Sequence, residues 1–309
     1  MRTAGILATT ALSLAALGGH ARADTARAWA AAKAALPADA RLVIGIDVAA
    51  VQKTQLFQTF YAKLHDSTDV NEILGAMKDG CKLEPLSVIR GLVVATSSDQ
   101  QEGAAYVALA GADRARLSSC FQRVAQIGRK DVKIAVKQSG DITELTMGSD
   151  TSFVGWVGKD VLVVSKRGQD KASLVKWMGG KGAFAKSDLA RTLAKVNTGT
   201  AIWGASDSAT ELQPGMNLKG GYGTAALAGG SVAIDFHAVM DSAEQATAAA
   251  GMANLITAKQ ATQAPPEIAP LLKAISIAAD KDEIRIKANV DEKDLLAAIQ
   301  HGLVGMGGP

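Results

Sequence analysis

The pattern of apolar and polar positions divides the chain into short runs of strand length and stretches of helical spacing. An Ala-rich segment over 25–36 predicts a helix that Pro37 stops. Leu42, Val43 and Ile44 then form the continuous apolar run of a buried strand over 41–47. Helical spacing follows through Leu56, Phe60 and Leu64, and again around 70–77. Segments 87–96 and 104–110 read as paired strands around a polar turn, and Leu117, Phe121 and Val124 mark the next helix. Strands near 132–137, 142–147, 153–157 and 161–165 and a helix near 171–178 complete the first half.

The same order recurs from about residue 197. Segment 200–205 matches the first strand, 222–228 and 231–239 the hairpin, and 244–262 its helix; 275–279, 283–290 and 295–302 close the unit. The expectation is an α+β fold built from a duplicated strand–helix–hairpin–helix–hairpin–helix unit, with largely antiparallel sheet or sheets and helices packed on one face. The first unit spans 24–196 and carries an extra hairpin; the second spans 197–302, and a flexible Gly-rich tail covers 303–309. An Asp stands at each predicted strand-to-helix junction: Asp47, Asp113, Asp170, Asp207, Asp241 and Asp291. Each is expected to cap a helix, because its carboxylate accepts the unsatisfied amide hydrogens of the first turn.

The amino terminus changes the compartment. Arg2, the apolar run 4–17 and Ala21-Arg22-Ala23 have the form of a secretory signal peptide over 1–23, cleaved between Ala23 and Asp24. That run is too short for a membrane span of about 20 residues. The expected location is therefore periplasmic or extracellular, with no transmembrane segment. In such an oxidising compartment the two cysteines, Cys81 and Cys120, read first as one disulfide; neither CxxC spacing nor a nearby His completes a metal site.

Composition narrows the partners. The 309 residues carry a formal charge of +3, which falls to +1 once Arg2 and Arg22 leave, so no whole-chain field favours nucleic acid. With 58 Ala, 31 Gly and only 4% aromatics, the core is expected to rest on small and branched aliphatic side chains.

Candidate chemistry is sparse. Asp235 and His237 alternate with apolar neighbours on one predicted strand and share a face, the arrangement of a base with its orienting acid; a hydrolase built on this pair is the alternative function. Lys133 and Lys137 on one strand, and Arg285 and Lys287 on its counterpart, alternate with apolar residues and give each strand a cationic face. Such lysines protect sheet edges or offer a surface to an anionic partner. His65 falls in a polar loop and His301 in the last helix. Gly220-Gly221-Tyr222-Gly223 and Gly158-Lys159-Asp160 lack phosphate-loop context and read as turns, so no cofactor is implied.

The stretch Leu36-Pro37-Ala38-Asp39-Ala40-Arg41-Leu42-Val43-Ile44-Gly45-Ile46-Asp47, followed by Leu56-Phe57, resembles the opening of uncharacterised secreted or periplasmic proteins of Gram-negative bacteria. Cys81-Lys82-Leu83-Glu84-Pro85-Leu86 before a strand, with Cys120 in a later helix, is also similar to theirs, so the likeness covers mainly 36–121. It implies an exported α+β protein with a disulfide and carries over no catalytic residue. The expected function is a non-enzymatic cell-envelope protein binding an apolar or anionic ligand, with a lipid, envelope polysaccharide or another protein as partner. In the carrier version the ligand occupies apolar space between sheet and helices, where Ala and Gly leave room.

Overall fold

The structure, a computed structural model, describes residues 24–64, 75, 77–79, 81–97, 102–127, 134–147, 150–166 and 168–306. The expected signal peptide, His65, Lys133 and most of the 70–77 helix lie outside the described residues, as does the side chain of His301.

The apolar runs become the strands of one antiparallel sheet. The first half supplies β1 (Leu42–Asp47), β2 (Ile89–Thr96), β3 (Gly103–Leu109), β4 (Ile134–Ser139), β5 (Ile142–Met147), β6 (Asp150–Val157) and β7 (Val161–Ser165). The second supplies β8 (Ile202–Ser206), β9 (Thr210–Gln213), β10 (Met216–Ala228), β11 (Ser231–Met240), β12 (Ile275–Asp280) and β13 (Glu283–Asp291). Their order is β12-β13-β11-β10-β8-β1-β2-β3-β7-β6-β5-β4, with β9 beside β10. Outward from the central antiparallel pair β1 and β8, the two halves run β1-β2-β3-β7-β6 and β8-β10-β11-β13-β12. Both halves therefore share one sheet, and the hairpin β4–β5 is added at the edge of the first.

Helices cover both faces, which corrects the expectation of one. Val43, Val93, Tyr106, Val163 and Trp203 point to one face, packed with Ala28 and Ala32 of the first helix, residues 24–35, with Leu36 just after it, and with Leu174 and Trp177 of the helix Lys171–Met178. Val107 and Leu162 point to the other, beneath Leu117 and the cysteines. Further along that second face, Ile284 and Ile286 pack under Ala246, Ala249 and Ala250 of the helix Ala243–Gln263. The physical reason lies in runs such as Leu92-Val93-Val94 and Leu162-Val163-Val164: both faces of these strands are apolar, and each needs cover.

The main core is not only small and branched aliphatic, as composition suggested: Trp177, Trp203, Tyr106 and Phe184 are fully buried in it, and glycines permit close approach around it. A Cβ on Gly91 would lie 2.7 Å from the backbone of Thr25, so the first helix can rest directly on the sheet there. A Cβ on Gly45 would fall 2.0 Å from Trp203 Cε2; the cross-strand glycine is the seat of that buried indole.

Cys81 and Cys120 form the expected disulfide, with Cα atoms 4.9 Å apart and both residues buried. Three first-half aspartates cap as expected: Asp47 accepts from Ala50 N at 3.0 Å, Asp113 from Arg116 N at 2.9 Å and Asp170 from Ser173 N at 2.8 Å. The second half departs. Asp207 precedes no helix and pairs with Arg41 at 2.9 Å, because the chain runs on into β9. Ser242, one residue beyond Asp241, is the cap of the long helix, and Asp241 accepts from Asn217 at 2.8 Å instead. Asp291 ends β13 before the final helix, 3.6 Å from Lys293. That helix, Glu292–Met306, continues through 303–306 of the expected tail, since the breaker cluster Gly307-Gly308-Pro309 comes only afterwards.

Candidate functional site

Between the described helices on the second face, the described residues leave the centre of the sheet open as a groove of about 380 Å³. Strand register builds it in three rows. Leu42, Ser206 and Gly221 form one end; Ile44, Gly204, Gly223 and Phe236 form the middle; Ile202, Ala225 and Ile234 form the other end. The trough follows β8, whose groove-facing residues are Ile202, Gly204 and Ser206, and spans about 13 Å from Ile202 to Ser206 at strand rise. Leu42 and Ile44 of β1 make one bank. Phe236 makes the other: a Cβ on Gly221 or Gly223 would lie 2.8 Å or 3.0 Å from its ring, so the phenyl group lies across both glycines.

This overturns the reading of Gly220-Gly221-Tyr222-Gly223 as a turn. The cluster lies inside β10, and its missing side chains admit the Phe236 ring and, at Gly220, the carbonyl of Ser206. Gly158 does stand in the turn between β6 and β7, with φ of +70°. Among the described residues the groove lining carries no charged side chain. Ile234 and Phe236, 38% and 39% exposed, are large apolar groups left facing solvent along the groove.

The opposite face of the same strands carries a polar ladder that includes the candidate pair. Tyr222, His237 and Arg285 are register neighbours across β10, β11 and β13, and Asp235 faces Lys287 one step along. His237 Nδ1 is 2.9 Å from Glu283 Oε2, and Nε2 is 3.3 Å from Asp235 Oδ1. The imidazole stacks on Tyr222 with centroids 4.6 Å apart. Glu283 also accepts from the Tyr222 hydroxyl at 2.7 Å and from Lys195 at 2.8 Å. Arg285 donates to both oxygens of Asp235, through Nε at 2.8 Å and through a second nitrogen.

The electrostatics follow from these contacts. The hydrogen bond from Arg285 holds the Asp235 carboxyl below the usual carboxylate range. Burial pushes Glu283 up, but donation from Lys195, Tyr222 and His237 outweighs it, and its pKa is lowered. Burial, reinforced by Glu283, raises the Tyr222 phenol. Both ring nitrogens of His237 face carboxylates, and among the described hydrogen bonds no serine, threonine or cysteine side chain reaches the imidazole. The arrangement is a compensated ion-pair network. Sequence spacing placed Asp235 and His237 on one face; Glu283, Lys195 and Tyr222 had no local signal because they arrive through pairing and packing.

The basic candidates fall apart in space. Lys137 lies on the edge strand β4, opposite Glu144, whereas Arg285 and Lys287 lie on β13 near the other edge. Among the described residues no group of His, Cys, Asp or Glu side chains is arranged to hold a metal ion. Among the same residues no helix is long and apolar enough to cross a membrane.

No protein-family model matches the chain, and no curated protein matches it. Among solved structures, crystal form III of TP0453, a Treponema protein, is similar with a TM-score of 0.52 at 10% identity, covering 87% of this chain and 96% of that chain. Crystal form I of the same protein gives 0.49 at 10% identity, covering 88% and 97%. The likeness to form III is one of fold: an α+β arrangement around a large antiparallel sheet, spanning nearly the whole of both chains.

Proposed function

We propose that this chain is an exported, non-enzymatic protein of the cell envelope that holds the hydrocarbon part of a lipid-like ligand in the trough along β8. The observation that carries this reading is the groove itself: about 380 Å³, centred on the sheet and lined, among the described residues, without a charge. Small-molecule sites are concave, mostly apolar and of this size class. Export rests on the signal-peptide pattern of residues 1–23 and on the resemblance to secreted Gram-negative proteins. The hydrolase alternative on His237 and Asp235 draws no comparable support, since Asp235 is engaged by Arg285 and His237 by Glu283.

Native mass spectrometry of protein purified from its own envelope tests the reading. A co-purifying lipid mass is expected, and Ala225→Phe, which fills the Ile202 end of the trough, should remove it while leaving the protein folded. A clean apo mass for the wild type, or a lipid retained undiminished by the folded variant, would overturn it.

A further inference from the structure

The two ends of the trough differ chemically, and the difference selects the ligand. At one end Ile202, Ala225 and Ile234 offer only hydrocarbon; at the other stand Ser206 and Ser208. Ser206 Oγ accepts from Ser208 N at 3.2 Å, so its own proton is still available to donate. The Ser208 hydroxyl makes no described hydrogen bond. These two groups can both give and accept hydrogen bonds, and neither brings a charge.

Resting on the groove reading, we infer that the ligand is a single-chain amphiphile with an uncharged head bearing hydroxyl or ester oxygens, seated head to Ser206 and Ser208 and chain toward Ile202. A carboxylate or phosphate drawn into this trough would lose water without gaining a cation, because none of the described lining residues carries positive charge. The Arg41 guanidinium, on the residue next to Leu42, is committed to Asp207 at 2.9 Å. Both belong to positions that alternate with Leu42 and Ser206, so they project toward the opposite face. A hydroxyl or ester head meets partners it can satisfy. Gly204, the side-chain-free position that the Phe236 ring does not cover, leaves the middle row low enough for a chain to pass between Ile44 and Phe236. The span of about 13 Å sets how much chain is buried.

The test uses the mature protein and defined probes: monoacylglycerols of increasing length, and the fatty acids of the same lengths at about pH 8, where they are ionised. Displacement of a fluorescent hydrocarbon probe reads the affinities. Monoacylglycerols should bind roughly tenfold or more tighter than the matched fatty-acid anion. Affinity should rise about fourfold for each added methylene and level off once the trough is full. In the double variant Ser206→Ala, Ser208→Ala the preference should shrink severalfold while the chain-length dependence persists. Ser208→Ala alone, outside any strand, guards against misfolding of the double variant and should show part of the same loss. Equal or tighter binding of the anion, or a preference unchanged in both variants, would overturn the head-group assignment while leaving the groove reading intact. Failure of every probe to bind would overturn the groove reading itself.

Discussion

Glu283 is the point where the polar ladder can be broken most cleanly, and Glu283→Gln keeps its shape while removing its charge. In the folded protein its carboxylate receives hydrogen bonds from Tyr222 at 2.7 Å, His237 at 2.9 Å and Lys195 at 2.8 Å, with its side chain only 14% exposed. Hydrogen bonds to a charged group contribute about 1 kcal/mol more than neutral ones. The Lys195 side chain is 54% exposed, and its share is correspondingly small. The two better-buried bonds then give a loss of about 2 kcal/mol. With an unfolding entropy of about 0.6 kcal/mol/K for a chain of this length, the melting temperature should fall by roughly 3 °C. The pH dependence sharpens the test. Glu283 is held below its usual pKa in the folded state, so its contribution is complete above the unfolded carboxylate value of about 4.3 and is lost as pH falls through the lower folded value. Calorimetry of wild type and variant should show the full difference at neutral pH and convergence below about pH 4. Equal destabilisation at both pH values, or none at neutral pH, would refute the assignment of Glu283 as the charged hub.

The disulfide gives a second expectation. Joining residues 39 apart restricts the unfolded chain by about 4 kcal/mol, so the double variant Cys81→Ala, Cys120→Ala should melt about 6 °C lower by differential scanning fluorimetry, and no change would refute that account. The glycine seat gives another: Gly45→Ala should cost about 1–3 kcal/mol through displacement of Trp203, and Trp203→Ala about 3–5 kcal/mol. In urea unfolding the two together should cost less than their sum, because removing the indole makes room for the new methyl group; strict additivity would show that the contact is not what Gly45 serves.

Particular elements show how far local pattern reaches. Strands 142–147 and 161–165 and the helix 171–178 match their predicted limits, because period-two and helical spacing are properties of the local chain. The amino-terminal part of β10 did not read as strand, since Asn217, Lys219, Gly220 and Gly221 show neither alternation nor β-branched residues. It forms because β8, β9 and β11 pair with it and the Phe236 ring covers its glycines. The helix Asp188–Leu193 was likewise hidden: six residues are too short to establish a period, and its Leu189 and Leu193 are fixed by the core they enter. Asp47, Asp113 and Asp170 were legible as caps because capping involves residues three apart. Asp207 and Asp241 were not, because Arg41 and Asn217 reach them from 166 and 24 residues away.

The sequence by itself determined the α+β class, the order of most elements, the pairing of the cysteines and the shared face of Asp235 and His237. Each follows from spacing along the chain, or from there being only two thiols to join. Only the tertiary structure decided that both halves enter one sheet through β1 and β8, that helices take both faces, and that Arg285 neutralises Asp235. It alone created the groove, because an open stretch of sheet is defined by where the helices do not reach, and that is set by the packing of residues far apart in sequence.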